Sequence, residues 1–404
     1  MATVRPFRAF RPRPEIAHRV SSPPYDVIDT AEARALADGK PESFLHVTRP
    51  EIDLPVGTDE HDDAVYEKAR ENLEAMCAEG VLRQDAEPRL YLYAQDMGGH
   101  HQVGVVGCVS VREYDEDRIK KHEKTRADKE DDRTRHVDVL SAHDEPVFLT
   151  YRASAEIDAQ VRRGVELDPL YDFTTEAGVR HRLWALDPEQ SRALAESFEG
   201  VSELYVADGH HRSAAASRVH ALRKGDGGEH DVFLAVVFPH DQVQILPYNR
   251  VVRDLDGRSV DALRAELEAI FELSPAERPE PPSKGVFGLY LGGRWWQARV
   301  RAGSFDASDP VASLDCSICQ DQLLGPIFRV TDPRRDAHVE FVGGIRGAKE
   351  VARRVDEGRA TLGIVLFPTS VNELIAVSDR GLLMPPKSTW FEPKLESGLF
   401  VHVF

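Results

Sequence analysis

The sequence of 404 residues is poor in cysteine, in long apolar runs and in net positive charge. Four cysteines are too few for a disulfide framework, so we expect a reducing cytoplasm. No apolar run approaches the roughly 18 residues that span a bilayer. The first residues also lack the apolar core of a signal peptide. Together these absences predict a soluble cytoplasmic protein.

The charge balance narrows the choice of partners. Lys and Arg number 51 against 69 Asp and Glu, which gives a net charge of −18. A surface this negative repels phosphate backbones and anionic lipids, so we expect neither a nucleic-acid nor a membrane partner. One local basic pocket remains compatible with it. The oligomeric state stays open.

What the sequence does contain is typical of a folded α/β protein. Hydrophobic residues make up 41% and charged residues 30%, enough for a sizeable core. Apolar spacing predicts a helix over residues 59–79, and alternation predicts a hairpin of residues 90–95 and 102–114. Further hairpins alternate with helices along the chain. The predicted fold class is α/β (mixed α+β), a mixed sheet with hairpins and flanking helices.

The Pro- and Glu-rich segment 274–283 is the best candidate for a domain linker. It divides the chain into an N-terminal α/β domain, residues 1–273, and a C-terminal α/β domain, residues 284–404, whose final segment returns to the site. Residues 232–238 and 243–246 are predicted to form a hairpin, and residues 213–224 a helix closed by Gly225. The highly charged stretch 115–143 is expected to be a helix and loop outside the core.

The most informative segment is Asp208-Gly-His-His-Arg212, where a short apolar strand runs into a helix rich in small residues. Gly209 permits a tight turn, and the first N–H groups of the helix then face outward with the positive end of its dipole. His210, His211 and Arg212, followed by Ser213, suit an anion such as phosphate. Asp208 is expected to hold Mg²⁺ or to take a proton from a hydroxyl. The alternative is a capped helix with surface histidines.

This box resembles the phosphate-binding box of the ParB/sulfiredoxin superfamily, which includes free-serine kinases. The whole chain resembles the domain-of-unknown-function 1015 family, which implies a ParB/sulfiredoxin-like core with large additions. Besides the box, the resemblance rests on these motifs: Ser22-Pro-Pro-Tyr-Asp-Val27, Phe44-Leu-His-Val-Thr-Arg-Pro-Glu51, His122-Glu-Lys-Thr-Arg126, Leu246-Pro-Tyr-Asn-Arg250 and Met384-Pro-Pro-Lys-Ser-Thr-Trp-Phe-Glu-Pro-Lys394. His210 stands where sulfiredoxins need a cysteine, so sulfinic acid reduction is excluded.

The resemblance gives the other motifs candidate roles. Glu123 becomes a candidate catalytic base beside Asp208 and His211, and Lys387 a further phosphate ligand. The alternatives without a catalytic role are that Glu123 lies on a solvated helix and that Lys387 lies in a rigid loop that docks the C-terminal strand. Five residues in two N-terminal motifs are candidates for binding a small polar substrate, with Arg49 for its carboxylate, although they equally suit turns: Tyr25, Asp26, His46, Thr48 and Arg49.

The resemblance therefore implies a small-molecule phosphotransferase acting on the hydroxyl of a free amino acid, with L-serine or phosphoserine as the first candidate. ATP, ADP or pyrophosphate would exchange the phosphoryl group in the presence of Mg²⁺. Two alternatives remain. One is a regulatory protein that binds a nucleotide without turnover, and the other is a phosphoester hydrolase.

Overall fold

The computed structural model describes residues 1–223 and 228–404, which form two compact units. The first unit comprises Met1–Val243 and Pro393–Phe404, and the second comprises Gln244–Glu392. Among the described residues, none of the helices combines the length and the apolarity needed to cross a bilayer.

The strands are numbered in chain order: β1 (Val4–Arg5), β2 (Phe10–Pro12), β3 (Leu82–Gln84), β4 (Tyr91–Met97), β5 (His100–Ser110), β6 (Ile119–Lys120), β7 (Ala142–His143), β8 (Val147–Tyr151), β9 (Tyr171–Thr174), β10 (Arg180–Ala185), β11 (Leu204–Asp208), β12 (Val232–Pro239), β13 (Gln244–Leu246), β14 (Asn249–Val252), β15 (Phe271–Pro275), β16 (Val286–Leu291), β17 (Arg294–Val300), β18 (Val339–Val342), β19 (Leu362–Val365), β20 (Trp390–Glu392) and β21 (His402–Val403). The α-helices are numbered likewise: α1 (Ala17–Val20), α2 (Thr30–Ala37), α3 (Leu45–Thr48), α4 (Asp63–Ala78), α5 (Val111–Asp115), α6 (Ala127–Leu140), α7 (Ala155–Gly164), α8 (Pro188–Phe198), α9 (His210–Arg223), α10 (Val260–Ile270), α11 (Asp315–Ile318), α12 (Gly325–Phe328), α13 (Gly347–Asp356) and α14 (Val371–Asp379).

A large mixed sheet organises the first unit. Its strand order is β6-β11-β8-β12-β5-β4-β10-β9, and β1 adds to β5. β8 runs parallel to β12 and β6 parallel to β11, whereas the other neighbours are antiparallel. The central strand β12 is buried along its whole length, which explains its unbroken apolar sequence. The predicted fold class, a mixed sheet with hairpins and flanking helices, is confirmed.

Two local predictions in this unit are confirmed. β4 and β5 form the expected antiparallel hairpin, and Gly98 and Gly99 at its tip both have positive φ, 58° and 90°. α4 buries the apolar face expected for the helix over 59–79, and the Asp62 side chain caps it by accepting a hydrogen bond from the Ala64 N–H.

The charged stretch contradicts the sequence-based expectation. α6 lies within it and buries Asp132, Arg133, Thr134 and His136. Asp132 and His136 are hydrogen-bonded to residues outside the helix, and the buried polar positions leave few apolar ones for a periodic pattern to reveal. The predicted end of α9 at Lys224 and Gly225 lies outside the described residues.

The second unit is built on a sheet of strand order β15-β17-β16-β19-β14-β18, with β13 paired separately to β20. The predicted hairpin of residues 232–238 with 243–246 is therefore wrong, because β13 takes β20 as its antiparallel partner. The division of the chain also differs from the predicted linker at 274–283. β14 and β15 both belong to the second sheet, so the boundary falls between Val243 and Gln244.

Candidate functional site

The junction between β11 and α9 is sharp because of Gly209. β11 is buried up to Asp208, and its register against β8 shifts between Val206 and Asp208. Gly209 has φ +97°, and a Cβ there would lie 3.0 Å from Arg212 Nε. Both the backbone conformation and the space therefore require glycine. The Asp208 carboxylate and the first turn of α9 are consequently placed side by side.

Asp208 is held by two cations. Lys394 Nζ lies 3.0 Å from Asp208 Oδ2, and Arg212 Nη2 lies 3.9 Å from the same oxygen. The other oxygen, Oδ1, accepts the Gly209 N–H at 3.1 Å. Burial alone would raise the pKa of Asp208, but Lys394 and Arg212 hold it well below its ordinary value. The carboxylate is thus ionised and positioned at the mouth of the turn.

Arg212 is turned inward rather than toward solvent. Its Nη1 donates to the carbonyl of Pro146 at 2.5 Å, and its side chain is 9% exposed. Burial alone would lower the pKa of Arg212, but the carboxylates of Glu145 and Asp208 raise it. The guanidinium is therefore a permanent buried charge that links the β11 end to the loop before β8.

The two imidazoles of the box are not cations. Burial holds the pKa of His210 well below its ordinary value, aided by His122, and burial also lowers the pKa of His211. The rings of His210 and His122 are 4.4 Å apart in an edge-to-face arrangement. His211 Nε2 accepts the Arg126 N–H at 3.2 Å. Both rings therefore offer lone pairs at neutral pH, which differs from the predicted pair of positive groups.

Ser213 and Glu123 lie at opposite extremes of exposure. The Ser213 hydroxyl is fully buried and donates to the carbonyls of His210, at 3.1 Å, and Gly209, at 3.3 Å. It therefore closes the first turn of α9 from inside.

Glu123 is exposed, and its carboxylate lies near the imidazoles of His122 and His210. The structure thus brings Glu123 to the beginning of α9, although 85 or more residues separate these positions in the sequence.

The surroundings of Asp208 do not fit the Mg²⁺ role that its sequence position suggested. Mg²⁺ requires a near-octahedral set of oxygen ligands, most of them water or phosphate. Here Oδ2 is already neutralised by Lys394 and Arg212, and Oδ1 accepts a backbone N–H. A second cation at this carboxylate would be repelled by two neighbouring charges. We therefore assign no step to Mg²⁺ at Asp208.

Three of the five predicted substrate residues line one cleft of the first unit. Tyr25, Thr48 and Arg49 surround it together with residues of α4 and α6. Arg49 Nε lies 2.9 Å from Glu51 Oε1, and Arg49 Nη2 donates to the Thr30 hydroxyl at 2.8 Å. The cleft therefore carries a guanidinium that already has an acidic neighbour.

A chain of buried polar groups runs from this cleft to Arg212. Arg133 stacks on the Tyr25 ring, with 4.0 Å between its Cζ and the ring centre, and lines both the cleft and a deeper cavity that Arg212 also lines. Glu145 Oε1 accepts the Tyr25 N–H at 3.0 Å and the Ser397 hydroxyl at 2.9 Å. Thus Tyr25 joins the predicted substrate cleft to the predicted phosphate box.

The pKa values of the carboxylates in this group of buried polar residues are shifted in different directions. Burial would raise the pKa of Asp132, but the charge of Arg133 lowers it to about 2. Burial would likewise raise the pKa of Asp144, but the neighbouring His136 lowers it. Burial instead raises the pKa of Glu145, against the opposing charges of Arg212 and Arg133. Glu145 is therefore the carboxylate of this group most prone to carry a proton.

The remaining predicted residues are placed elsewhere or at the rim. Asp26 is exposed, and its charge raises the pKa of both His211 and Arg212, against their burial. His46 faces a different depression and hydrogen-bonds Asp53 at 2.8 Å, which raises its pKa. Lys387 is exposed in the second unit, with φ 57° and its Nζ 3.4 Å from the Tyr248 hydroxyl.

The sequence-based reasoning missed the groups that hold the site together. Lys394 ends one of the motifs that carried the family resemblance, yet no pattern linked it to Asp208, 186 residues earlier. Arg133 and Glu145 lie in or beside the charged stretch that was interpreted as solvated. The apolar residues Val137 and Leu140 within the charged stretch were the one sequence signal that this helix has a buried face.

Comparisons with known proteins give distant structural likenesses. A mutant free serine kinase in complex with AMP is 12% identical, with a TM-score of 0.38, over 73% of this chain and 92% of that one. A conserved hypothetical protein from Pyrococcus furiosus is 14% identical, with a TM-score of 0.36, over 74% and 95%. C-terminally truncated SbnI from Staphylococcus aureus is 12% identical, with a TM-score of 0.38, over 74% and 87%.

Sequence comparison identifies the family but not an activity. No curated protein matches the chain. The model of the family described as "Protein of unknown function (DUF1015)" matches residues 4–317, most of the chain. The protein therefore belongs to the DUF1015 family.

Proposed function

We propose that the protein is a small-molecule phosphotransferase that acts on the hydroxyl of a free amino acid. L-Serine, or phosphoserine in the reverse direction, is the first candidate, with ATP, ADP or pyrophosphate as the phosphoryl partner. The observation that carries the proposal is the Asp208–Gly209–Arg212 junction, where an ionised carboxylate, two cations and the first turn of α9 meet.

The chemistry asks little more of the protein than this junction offers. The phosphoryl transition state is loose, so catalysis comes from positioning and from charge neutralisation. The first turn of α9 would bind the transferred phosphoryl group, and the buried positive charge of Arg212 would stabilise it from beneath the turn. Asp208, whose pKa is held well below its ordinary value, would orient the acceptor hydroxyl by accepting its hydrogen bond. Glu123 is the candidate base that would receive the proton as the hydroxyl oxygen attacks phosphorus and the bond from phosphorus to the leaving nucleotide or phosphate breaks.

The charges of the neighbouring cleft support an amino acid as the other substrate. A free amino acid carries a carboxylate and an ammonium, so its site needs groups of both signs. Arg49 and Arg133 line the cleft beside the acidic side chains of Glu51 and Glu60. Arg49 would exchange its contact with Glu51 for the substrate carboxylate, and the released Glu51 would then accept the substrate ammonium.

Phosphorus NMR of the purified full chain tests the proposal directly. The protein is incubated with serine and ATP, ADP or pyrophosphate, and separately with phosphoserine and ADP. We expect an O-phosphoserine resonance in one of the first mixtures, or ATP in the second. Arg212→Gln and Arg49→Gln should both reduce the product, whereas Lys68→Met, at a half-buried side chain of α4 that pairs with Glu71, should leave it unchanged.

Other results would replace the proposal. Inorganic phosphate from phosphoserine alone would identify a hydrolase, in which water takes the place of the acceptor. Nucleotide binding that depends on Arg212, without any new resonance for any hydroxy amino acid, would identify a non-catalytic regulatory protein. Equal product yields from the Arg212→Gln variant and the wild type would place the reaction away from this junction.

A further inference from the structure

A group of metal-ligating side chains lies at the start of α9 beside, but not including, Asp208. His122, Glu123 and His210 each offer one ligand atom, and these atoms all lie within 4.8 Å of one another. Two of the three side chains are buried, and Glu123 is exposed at the rim. Ligand atoms bound at about 2.1 Å from one ion lie somewhat closer together than this, so a small rotation of the exposed Glu123 completes the geometry.

The state of His122 is the second observation. Its side chain is 2% exposed, and among the described residues neither ring nitrogen has a partner at hydrogen-bonding distance and angle. A buried polar group without such a partner costs about 1–3 kcal/mol, so its retention needs an explanation. The ring lies edge-to-face against His210 at 4.4 Å, so the two imidazoles converge. A bound cation would satisfy the unpartnered nitrogen.

The backbone already brings the two rings together. His210 Nε2 accepts the backbone N–H of His122 at 3.5 Å, a contact at the long limit of hydrogen bonding. The two imidazoles can therefore turn toward one ion without breaking a strong hydrogen bond.

The donor set selects the kind of ion. Two imidazoles and one carboxylate suit zinc and its transition-metal neighbours, whereas Mg²⁺ and Ca²⁺ prefer oxygen ligands throughout. Three protein ligands also leave a coordination position for water or for a ligand oxygen. We propose that His122, Glu123 and His210 form a binding site for one divalent transition-metal ion. The site shares Glu123 and His210 with the proposed phosphotransferase site, but its test measures metal binding alone.

Two other groups of possible ligands set the design of the test. His220, His230 and Asp231 lie together on one side of the first unit, and Asp254, Asp256 and His338 are all exposed in the second. The first group is half-buried and the second is exposed, and each offers Co²⁺ a competing place to bind. A metal titration of the wild type alone would therefore mix their contributions with that of the proposed site.

Co²⁺ titration of the full chain, followed by visible absorption and calorimetry, separates them. Glu123→Gln removes one exposed ligand and should weaken the tightest Co²⁺ site roughly tenfold or more. Asp128→Asn, an exposed carboxylate in the same segment, is its matched control and should bind Co²⁺ like the wild type. His122→Gln should also lose the site, with circular dichroism and thermal unfolding showing that it remains folded. His338→Gln should remove only weak binding.

The outcomes are distinct. One equivalent of Co²⁺ with four-coordinate absorption, lost in Glu123→Gln and kept in Asp128→Asn, supports the site, and Zn²⁺ should displace the cobalt while Mg²⁺ should not. Tight binding that survives in both Glu123→Gln and a folded His122→Gln overturns it. A wild type that binds Co²⁺ no more tightly than the Glu123→Gln variant overturns it equally. None of these readouts involves substrate, so the result does not depend on the phosphotransferase assay.

Discussion

Removal of the Lys394 ammonium is the sharpest test of how the β11–α9 junction is held. Lys394 Nζ and Asp208 Oδ2 are 3.0 Å apart, and the two side chains are 19% and 29% exposed. Fully exposed pairs contribute about 0–1 kcal/mol, while breaking a buried pair costs about 3–5 kcal/mol. Arg212, at 3.9 Å, continues to neutralise Asp208 in the variant. We therefore expect Lys394→Met to reduce the stability of the junction by about 1–2 kcal/mol.

Hydrogen exchange measured by mass spectrometry suits this prediction, because it reports local free energies within the first unit. Peptides that cover β11 and the start of α9 should exchange faster in Lys394→Met. Lys68→Met makes the same substitution at a solvated pair 3.4 Å from Glu71 and should leave these peptides unchanged. Asp208→Asn and the double variant complete a double-mutant cycle, in which we expect a coupling of at least about 0.5 kcal/mol.

A null coupling would refute the reasoning. If the effects of Lys394→Met and Asp208→Asn simply add, the two groups do not interact in solution. The depressed pKa of Asp208 would then have to come from Arg212 alone. Equal exchange in Lys394→Met and Lys68→Met would lead to the same conclusion.

Three further substitutions give measurable outcomes. Gly209→Ala should lower the free energy of unfolding by roughly 2 kcal/mol in urea titrations, because φ is +97° and the new Cβ meets Arg212 at 3.0 Å; an unchanged midpoint would contradict this. Arg212→Lys should lower the melting temperature, since an ammonium cannot contact both the Pro146 carbonyl and the Asp208 carboxylate. Asp315 tests the pH dependence of stability, because burial raises its pKa from 3.8 to about 7. Protonation of Asp315 therefore stabilises the folded state at low pH, and this stabilisation is lost as the pH rises from about 4 to about 7. Asp315→Asn should remove about 4 kcal/mol of this decline, and parallel pH profiles of the wild type and variant would refute it.

The elements that could be predicted from the sequence are those whose signal is local. The hairpin of β4 and β5 has alternating side chains and a Gly98-Gly99 tip, and α4 has a periodic apolar face with Asp62 as its cap. In such elements the hydrophobic pattern and the turn chemistry agree within a short window. The local sequence was therefore enough to predict these elements.

α6 shows why the charged stretch was misjudged. Its buried face is mostly polar, and two of the buried polar residues, Asp132 and His136, are hydrogen-bonded to residues outside the helix. Asp132 Oδ1 accepts hydrogen bonds from the Tyr66 hydroxyl at 2.7 Å and lies 3.0 Å from His61 Nδ1, while His136 Nε2 lies 2.8 Å from Asp144 Oδ2. A helix that buries charge in this way has no apolar stripe, so periodicity alone classes it as a surface helix.

Strand partners distant in sequence explain the misplaced boundary. β14 follows directly after the Pro-Tyr of the Leu246-Pro-Tyr-Asn-Arg250 motif, but its neighbours are β18 and β19, about a hundred residues later. Composition marks the Pro-rich segment 274–283, although part of it continues β15 at the sheet edge, where Pro275 pairs with Trp296. The Pro-rich segment is therefore the end of an edge strand and a loop within the second unit rather than a linker between units.

The electrostatics of the candidate site limit which ligands it can hold. The box was expected to gather positive groups, but His210 and His211 are neutral, and the charge of Arg212 is opposed by Asp208 and Glu145. A bare phosphate at the first turn of α9 would gain from the helix and from Arg212 but would lie close to the ionised Asp208. A ligand that also presents a hydroxyl or ammonium to Asp208 would convert that repulsion into a hydrogen bond. Under the proposed function, a phosphoryl donor and its acceptor would therefore bind this junction better together than either would alone, which is what a transferase requires and a simple anion-binding protein does not.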